Sequence, residues 1–169
     1  YVIAGHGTIA LEILEQLPDV EQVVVPIGGG GLISGVAYTI KQLKPDCKVI
    51  GVQAATVPSM YESWKAGKIV TVPDGNTIAD GIHVLTPGSL TFELVEKYVD
   101  EVVTVSEDEI CAAILTLLEK SKTVAEGAGA TPVAACLYNK VDMSKKTVCV
   151  VSGGNVDVTT LNRIITKGM

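Results

Sequence analysis

Aromatic side chains and clusters of positive charge are scarce in this sequence of 169 residues. Aromatic residues make up only 4% of the chain, and 13 Lys and Arg residues are outnumbered by 19 Asp and Glu residues, which gives a formal net charge of −6. Beyond the pair Lys145 and Lys146, the lysines do not cluster. Proteins that bind nucleic acid usually present a basic face. We therefore expect no nucleic-acid partner, and any bound phosphate must be held mainly by backbone dipoles.

Long hydrophobic runs and closely spaced cysteines are absent as well. No apolar run approaches the roughly 20 residues that cross a bilayer, and the N-terminal residues lack the charged-then-apolar pattern of a signal peptide. The sequence therefore predicts no membrane partner and a cytoplasmic location. Because no C-x-x-C pair occurs, the cysteines are predicted to be reduced core residues. They are Cys47, Cys111, Cys136 and Cys149.

Apolar residues, mainly Val, Ile, Leu and Ala, are abundant and follow an alternating order. They account for 47% of the chain against 19% charged residues, which allows a sizeable core. Four short apolar runs predict strands at 23–27, 49–53, 102–105 and 148–151. Segments of helical period predict helices at 8–17, 32–43, 58–66, 110–119, 128–138 and 158–167. This alternation is typical of βαβ units. The predicted fold class is α/β, with an open, mostly parallel sheet in three layers, helices on both faces, and no domain boundary within residues 1–169.

A run of four glycines follows the first predicted strand, and its members are Gly28, Gly29, Gly30 and Gly31, with Leu32 next. Each glycine loses more backbone entropy on folding than any other residue, so four in succession need a reason. A tight connection between strand and helix is the plain alternative, but one or two glycines would normally suffice for it. A glycine turn between a strand and a helix is also where backbone N–H groups converge on a phosphate. We favour a phosphate-binding loop.

The commonest nucleotide-binding motifs do not fit these glycines. In a dinucleotide fingerprint the third glycine position would fall on Ile33 or Ser34, and the second predicted strand ends in Gln53 where an acidic residue would bind the ribose. A Walker loop requires Gly-Lys-Ser/Thr after the glycines, and that sequence is missing. We therefore expect neither NAD nor a Walker-type nucleotide site.

A second glycine turn, at 152–155 (SGGN), follows the last predicted strand. Ligands of an open parallel sheet bind beyond the carboxyl ends of its strands, so both turns are expected to face one small-molecule site, with two independent loops as the alternative. Asp80 precedes Gly81 in a loop, where its carboxylate can bond to nearby N–H groups in an ordinary turn. Glu126 is a carboxylate among small and apolar residues, and such a group needs a partner or a function.

The histidines and the remaining acids carry weaker signals. Neither His6 nor His83 has a second ligand or a carboxylate at a useful spacing, so we expect no metal or catalytic-triad role for either. Asp100 and the acids at 107–109 are interpreted as solvated charges of loops and helix starts. Ser106 with Glu109 predicts a capping box that opens the helix at 110–119.

Several of these segments, taken together and in order, resemble the fold-type-II pyridoxal-phosphate enzymes. Within that family the chain is most similar to the threonine dehydratases (threonine ammonia-lyases), with serine racemases and serine dehydratases as relatives. The resemblance extends over nearly the whole chain and is specific at the level of the family. The segments that carry it are 4–8 (AGHGT), 26–35 (PIGGGGLISG), 77–81 (TIADG), 105–109 (VSEDE), 125–129 (AEGAG) and 152–155 (SGGN).

The resemblance implies a cofactor, pyridoxal 5'-phosphate, and a role for each of the singled-out residues. Gly28, Gly29, Gly30, Gly31 and Leu32 would bind the phosphate. Ser152 would face the pyridine nitrogen, and a hydroxyl there holds that nitrogen protonated less firmly than a carboxylate would. Gly81 and Glu126 would line the cofactor ring. No metal ligand is assigned, because Gln53 and Ser59 stand where the serine racemases carry acids for a divalent cation.

The resemblance also implies a reaction and a setting for it. The reaction is β-elimination from L-threonine or L-serine, with loss of the β-hydroxyl and hydrolysis to a 2-oxo acid and ammonia. For threonine the product would be 2-oxobutanoate, which suggests amino-acid metabolism and isoleucine biosynthesis. The expected partners are a small amino-acid substrate and further copies of the same chain in a homo-oligomer.

One departure from the family limits what the chain itself is expected to do. None of its lysines lies in the sequence context of the family's Schiff-base lysine, so no catalytic residue is assigned in this chain, and that lysine is expected upstream of Tyr1. We expect residues 1–169 to be the C-terminal part of the cofactor-binding large domain, without any regulatory domain and inactive in isolation. A serine racemase of the same fold and a noncatalytic phosphate- or nucleotide-binding module are the alternatives.

Overall fold

The computed structural model describes residues 1–167 and is built around one parallel sheet. Its strands are β1 (Gln22–Pro26), β2 (Lys48–Ala54), β3 (Glu101–Val105) and β4 (Thr147–Cys149). They lie in the order β3-β2-β1-β4, and every neighbouring pair is parallel. The register sets Val24 beside Ile50 on β2 and beside Cys149 on β4. The predicted parallel sheet is therefore confirmed over the described residues.

Seven α-helices surround this sheet among the described residues. They are α1 (Val2–Gln16), α2 (Gly31–Leu43), α3 (Ser59–Ala66), α4 (Ser89–Tyr98), α5 (Glu107–Thr116), α6 (Gly127–Leu137) and α7 (Val158–Lys167). A short 3-10 turn spans Asp80–Ile82, and one wide helical turn, Leu117–Ser121, extends α5. No helix in the described part of the chain combines the length and apolar character that crossing a membrane requires.

The core is divided by the sheet into two layers, because successive strand side chains point to opposite faces. Val23 and Val25 pack with α1, α2 and α4 on one face. Val24 and Ile50 pack with α5 and α6 on the other face, where Ile164 of α7 joins them. The predicted arrangement of helices on both faces of an open sheet is thus confirmed.

Two glycines let α1 and α2 approach with their backbones almost in contact. A Cβ on Gly35 would overlap the carbonyl oxygen of Ile3, and one on Gly7 would lie 2.6 Å from Thr39 Oγ1. Because α1 packs along α2 over its length, its start is tied to the rest of the fold. This explains why α1 begins at Val2 and not at residue 8, where the hydrophobic period alone placed it.

Helix α4 was not predicted, and its signals in the sequence are weak. Its N-cap residue, Gly88, makes no side-chain capping bond, and only Phe92 and Val95 among its residues are buried. By contrast α5 opens with the predicted capping box: Glu109 N–H donates to Ser106 Oγ over 3.2 Å, and Ser106 N–H donates to the Glu109 carboxylate over 2.8 Å. A helix whose capping residues can be recognised in the sequence is easier to predict than one stabilised only by tertiary contacts.

Candidate functional site

The two glycine turns lie side by side, because β1 and β4 are parallel neighbours and both turns follow their carboxyl ends. Together with the turn at 80–82 and the start of α6 they enclose a cavity of about 350 Å³. The residues that line this glycine cavity are His6, Pro26, Gly28, Gly29, Gly30, Gly31, Leu32, Gly81, Ile82, Glu126, Ala128 and Ser152. The structure therefore brings all eight predicted cofactor-binding residues to one place, and neither Lys nor Arg is among its lining residues.

Only two of the four glycines are required by contacts with the protein's own atoms. Gly30 has φ +91°, and a Cβ on it would lie 2.8 Å from Met60 Cε and 2.9 Å from Thr91 Cβ. A Cβ on Gly28 would lie 3.0 Å from the Cα of Ile82. At Gly29 an added Cβ would meet no atom within 4 Å, and at Gly31 the nearest atom would be His6 Nδ1 at 3.9 Å. The lack of side chains at Gly29 and Gly31 leaves space that a ligand can use.

The glycine run ends as the N-terminus of α2, which gives the cavity its electrostatic character. Gly30 is the N-cap, and Ser34 N–H donates to its carbonyl oxygen over 3.0 Å. The N–H groups of the first helical turn have no intrahelical acceptor, and the helix dipole places partial positive charge there. Thr91 of α4 fixes the loop by donating its hydroxyl to the Gly29 carbonyl over 2.6 Å. The unpredicted helix α4 thus helps to position the anion-binding end of the cavity.

Glu126 connects the opposite wall of the cavity to the second glycine turn. One carboxylate oxygen accepts from Asn155 N–H over 2.9 Å, and the backbone N–H of Glu126 donates to the Gly153 carbonyl over 3.1 Å. A Cβ on Gly153 would overlap the same carboxylate. The partner that this half-buried acid was expected to need is therefore the 152–155 turn itself.

Ser152 and Gly81 complete the wall around Glu126. Ser152 is exposed and lines the cavity three residues after β4 ends. A Cβ on Gly81 would lie 3.1 Å from the Cβ of Ala128 and 3.2 Å from Glu126 Oε1, so a larger residue would crowd the cavity. The Asp80 carboxylate accepts from Gly81 N–H over 2.9 Å, which is the ordinary turn that the sequence suggested.

His6 lines the glycine cavity, and sequence reasoning did not place it there. Its Nδ1 atom is buried without a hydrogen-bond partner in the described structure and faces Gly31. It is the one side chain in the lining able to carry positive charge. The sequence feature that could have placed His6 in the cavity is its position between Gly5 and Gly7. Gly7 lets α1 pack closely against α2, and this packing brings His6 next to the glycine run.

Several charged groups interpreted as solvated also bond to the backbone or to each other. Asp100 accepts from Val49 N–H over 2.6 Å and pairs with Lys41, and Glu107 accepts from Ile78 N–H over 2.7 Å. His83 lies 2.8 Å from the Asp74 carboxylate, a partner that its spacing in the sequence did not indicate. Residues distant in the sequence supply these partners, which spacing cannot reveal.

Gln53 and Ser59, the two positions considered for a metal in the sequence, have side chains that bond to the protein. The Gln53 amide is fully buried, accepts from Tyr61 N–H over 2.8 Å and donates to the Ile27 carbonyl over 3.2 Å. Ser59 Oγ donates to the Val84 carbonyl over 2.5 Å. Within residues 1–167 there is no group of three or more His, Cys, Asp or Glu side chains arranged to hold a metal ion.

Comparison with known proteins identifies the family of the chain. The family described as "Pyridoxal-phosphate dependent enzyme" matches residues 1–154, which include both glycine turns. The chain belongs to this family. Enzymes of the family use pyridoxal phosphate, a cofactor whose phosphate suits a helix N-terminus preceded by glycines without side chains.

Within this family, the chain is similar to threonine ammonia-lyases (threonine deaminases) and to a serine racemase. The L-threonine ammonia-lyase of Thermotoga maritima is 61% identical over 170 aligned residues, which cover 100% of this chain and 42% of that protein. The processed form of threonine deaminase isoform 2 from Solanum lycopersicum superposes with a TM-score of 0.90 at 36% identity, covering 97% of this chain and 46% of that one. Maize serine racemase superposes with a TM-score of 0.89 at 39% identity, covering 99% and 54%. The chain thus spans about half the length of these pyridoxal-phosphate enzymes.

Proposed function

We propose that the protein containing this chain is a pyridoxal-phosphate-dependent ammonia-lyase that converts L-threonine, and also L-serine, to a 2-oxo acid and ammonia. The observation that carries this proposal is the 61% identity to an L-threonine ammonia-lyase across the entire chain. The fold alone does not discriminate, since a threonine deaminase and a serine racemase superpose almost equally well, with TM-scores of 0.90 and 0.89.

The phosphate of the cofactor would be held by Gly28, Gly29, Gly30, Gly31 and Leu32 at the N-terminus of α2. Support comes from the open space at Gly29 and Gly31 and from the absence of Lys and Arg in the lining, which leaves the binding to backbone N–H groups and the helix dipole. His6 Nδ1, buried beside Gly31 and without a partner in the described structure, would donate one further hydrogen bond to that anion.

The ring end of the cofactor would lie against Ser152, Gly81 and Glu126. The Ser152 hydroxyl would meet the pyridine nitrogen, and because a hydroxyl is far less acidic than a carboxylic acid, it would leave that nitrogen largely unprotonated. Glu126 would hold the 152–155 turn in place through Asn155 N–H. When bound, the cofactor supplies an electron sink that stabilises a carbanion at the substrate's α-carbon.

Racemisation of serine by the same fold is the second candidate, favoured by the superposition with maize serine racemase at 39% identity. The bonds of Gln53 and Ser59 to the protein count against a divalent metal at those positions. A lyase without a metal requirement is therefore preferred. A noncatalytic phosphate-binding module is the remaining alternative, and turnover by the complete protein would exclude it.

The test is turnover by the complete protein with L-threonine and L-serine in separate reactions. We expect 2-oxo acid and ammonia in equal amounts from both, no D-serine, and no effect of a metal chelator. D-serine formation that requires a divalent metal would support the racemase, and no turnover together with bound phosphate ligands would support the noncatalytic module. The isolated 169-residue chain is expected to be inactive.

A matched pair of variants ties the activity to the glycine cavity. Gly29→Asp places a carboxylate where an added side chain meets no protein atom, so it should repel the cofactor phosphate and abolish activity without unfolding the protein. Gly5→Asp is the control, since Gly5 is exposed on α1 and also has no atom within 4 Å of an added Cβ. Equal loss of activity in both variants would count against the assignment.

The setting of the enzyme is also part of the proposal. We infer a cytoplasmic homo-oligomer whose product from threonine, 2-oxobutanoate, enters isoleucine biosynthesis. Exposed apolar side chains such as Leu11, Leu90 and Val158 support further contacts of this part of the protein with other chain segments or copies. Size measurement of the purified complete protein tests the oligomer, and growth of a strain lacking its own threonine deaminase without isoleucine tests the pathway.

A further inference from the structure

Two of the four cysteines lie against each other, one on α6 and one on β4. Cys136 is near the end of α6 and Cys149 is the last residue of β4, and their Sγ atoms are 3.3 Å apart. Both thiols are free and half-buried, whereas Cys47 and Cys111 are 1% and 5% exposed and lie elsewhere in the core. The prediction that all four are plain core residues is therefore incomplete for this pair.

The pair is close to the geometry of a disulfide bond. An S–S bond is about 2.05 Å long, so the two sulfur atoms would have to approach by only about 1.3 Å. The cysteines are on different elements, 13 positions apart, and the intervening chain turns back from α6 to β4. A bond between them would close a short loop and would not need any part of the sheet to separate.

The two thiols are not equivalent, and their surroundings indicate which one reacts first. The hydrogen bond from Cys149 lowers the pKa of the Cys136 thiol, while that bond together with burial raises the pKa of Cys149. Cys149 Sγ also lies 3.6 Å from the Pro132 carbonyl oxygen, a second acceptor that shares its one S–H proton. Because the thiolate is the attacking form, we expect Cys136 to attack first.

We propose that Cys136 and Cys149 form a reversible disulfide by exchange with a small disulfide such as oxidised glutathione. The Cys136 thiolate attacks one glutathione sulfur, forms a mixed disulfide and releases the first glutathione thiolate. Cys149 then loses its proton to solvent and attacks the Cys136 sulfur, which releases the second glutathione. The two protein thiols are oxidised by two electrons in total, and one glutathione disulfide is reduced to two thiols.

The location gives this bond a connection to the proposed cofactor site. β4 leads within three residues to Ser152, and α6 begins directly after Glu126. Both elements therefore support the same wall of the glycine cavity, and the disulfide would lock one to the other. β4 is only three residues long and pairs with a single strand among the described residues, so it is the element of the sheet with the least support of its own.

Trypsin offers a direct test, since cleavage after Lys122, Lys140, Lys146 and Arg163 places the two cysteines on separate peptides, 123–140 and 147–163. The complete protein is incubated in its folded state with oxidised glutathione, its free thiols are alkylated, and the digest is analysed by mass spectrometry. We expect the two peptides to appear joined, with the loss of two hydrogens, and to separate after treatment with dithiothreitol.

Three variants sharpen the test. Cys136→Ser and Cys149→Ser should each remove the joined peptides, and Cys111→Ser should leave them unchanged. In Cys149→Ser, Cys136 should remain in the mixed disulfide with glutathione, because no second thiol can release it. The proposal is overturned if both peptides of the unsubstituted protein are recovered singly, or if either cysteine pairs with a different one. That measurement needs no variant, so a substitution that fails to fold does not affect it.

Discussion

At the scale of single residues, the glycine run shows that adjacent glycines can have different roles. Gly30 is held at φ +91°, and an added Cβ would lie 2.8 Å from Met60 Cε and 2.9 Å from Thr91 Cβ, whereas an added Cβ on Gly29 would meet no protein atom within 4 Å. The first is required by the fold. The second is explained by the proposed ligand.

These two roles predict different effects of substitution by alanine: a loss of stability at Gly30 and a loss of cofactor binding at Gly29. Gly30→Ala should lower the free energy of unfolding by about 1–3 kcal/mol, because an L-residue is strained at that φ and has no room. Gly29→Ala should leave it within about 0.5 kcal/mol and instead weaken pyridoxal phosphate binding by about tenfold, which corresponds to ~1.4 kcal/mol. Urea unfolding of the apo protein and cofactor titration separate the two. Similar unfolding free energies for both variants would contradict this account of Gly30.

Glu126 gives a second prediction at this scale, because its carboxylate accepts from Asn155 N–H. Glu126→Ala should lower the free energy of unfolding by about 1 kcal/mol through loss of that bond. Glu126→Gln keeps an acceptor oxygen and should recover most of the loss. Denaturant unfolding of the three proteins measures the difference, and a Gln variant as unstable as the Ala variant would show that the hydrogen bond does not matter.

At the scale of secondary structure elements, α4 is the element that sequence reasoning missed, and it holds the glycine run in place. The Thr91 hydroxyl of α4 shares its one proton between the carbonyl oxygens of Gly29 and Gly88, which lie at 2.6 Å and 3.0 Å. The loop is thus positioned by a helix that is distant in the sequence.

Removing that hydroxyl should affect binding more than folding. Thr91→Val keeps the side-chain shape but loses both hydrogen bonds, so we expect weaker binding of pyridoxal phosphate by about 1 kcal/mol and the same helix content. Thr91→Ser retains the hydroxyl and is the control. Cofactor absorbance titrations at constant ionic strength give the affinities, and equal affinities for Val and Ser variants would show that the loop holds its shape without α4.

Helix α7 provides a pH-dependent prediction at the same scale. Its cap is Asp157, whose carboxylate accepts from Thr160 N–H over 2.8 Å, and the hydrogen bonds from Thr160 lower the pKa of Asp157 below its usual 3.8. A lowered pKa in the folded state means that the cap contributes stability above the unfolded-state pKa and loses it as the pH falls through the folded value.

Amide hydrogen exchange in α7 is therefore expected to be slow near neutral pH and, after correction for the intrinsic rate, faster at the acid end of the range. Asp157→Ala should show the faster exchange at every pH. Asp157→Asn, which can cap without a titrating proton, should lose the pH dependence while keeping most of the protection. Persistence of the pH dependence in the Asn variant would assign it to another group.

At the scale of the whole molecule, the sequence was sufficient to predict the four parallel strands and six of the seven α-helices of the described residues, but not α4, the order of the strands in the sheet or the contacts between elements. Apolar runs and glycine turns predicted all four strands, because buried parallel strands are nearly continuous in hydrophobicity. The two glycine turns were expected to meet, since parallel strands end at the same edge of the sheet. The position of His6 in the cavity and the pairing of Cys136 with Cys149 could not be predicted, because each depends on how helices pack on the sheet.

Exposed apolar surface gives a prediction at this scale. Leu11, Leu90, Val124 and Val158 are each at least 50% exposed, and together they offer apolar surface on which copies of the chain can meet. The 169-residue chain produced alone should therefore self-associate in a concentration-dependent manner. Light scattering over a wide concentration range measures this, and a stable monomer throughout would contradict it.

The close contact between α1 and α2 has a consequence for anyone who divides this protein into complementing pieces. Because Gly7 and Gly35 allow the two backbones to pack closely, larger residues at these positions would separate α1 from α2. A cut placed between α1 and β1 would separate α1 from α2 and would remove His6 from beside the glycine run. A piece that keeps residues 1–43 uninterrupted would retain both contacts, so it should reassemble with its complement more readily.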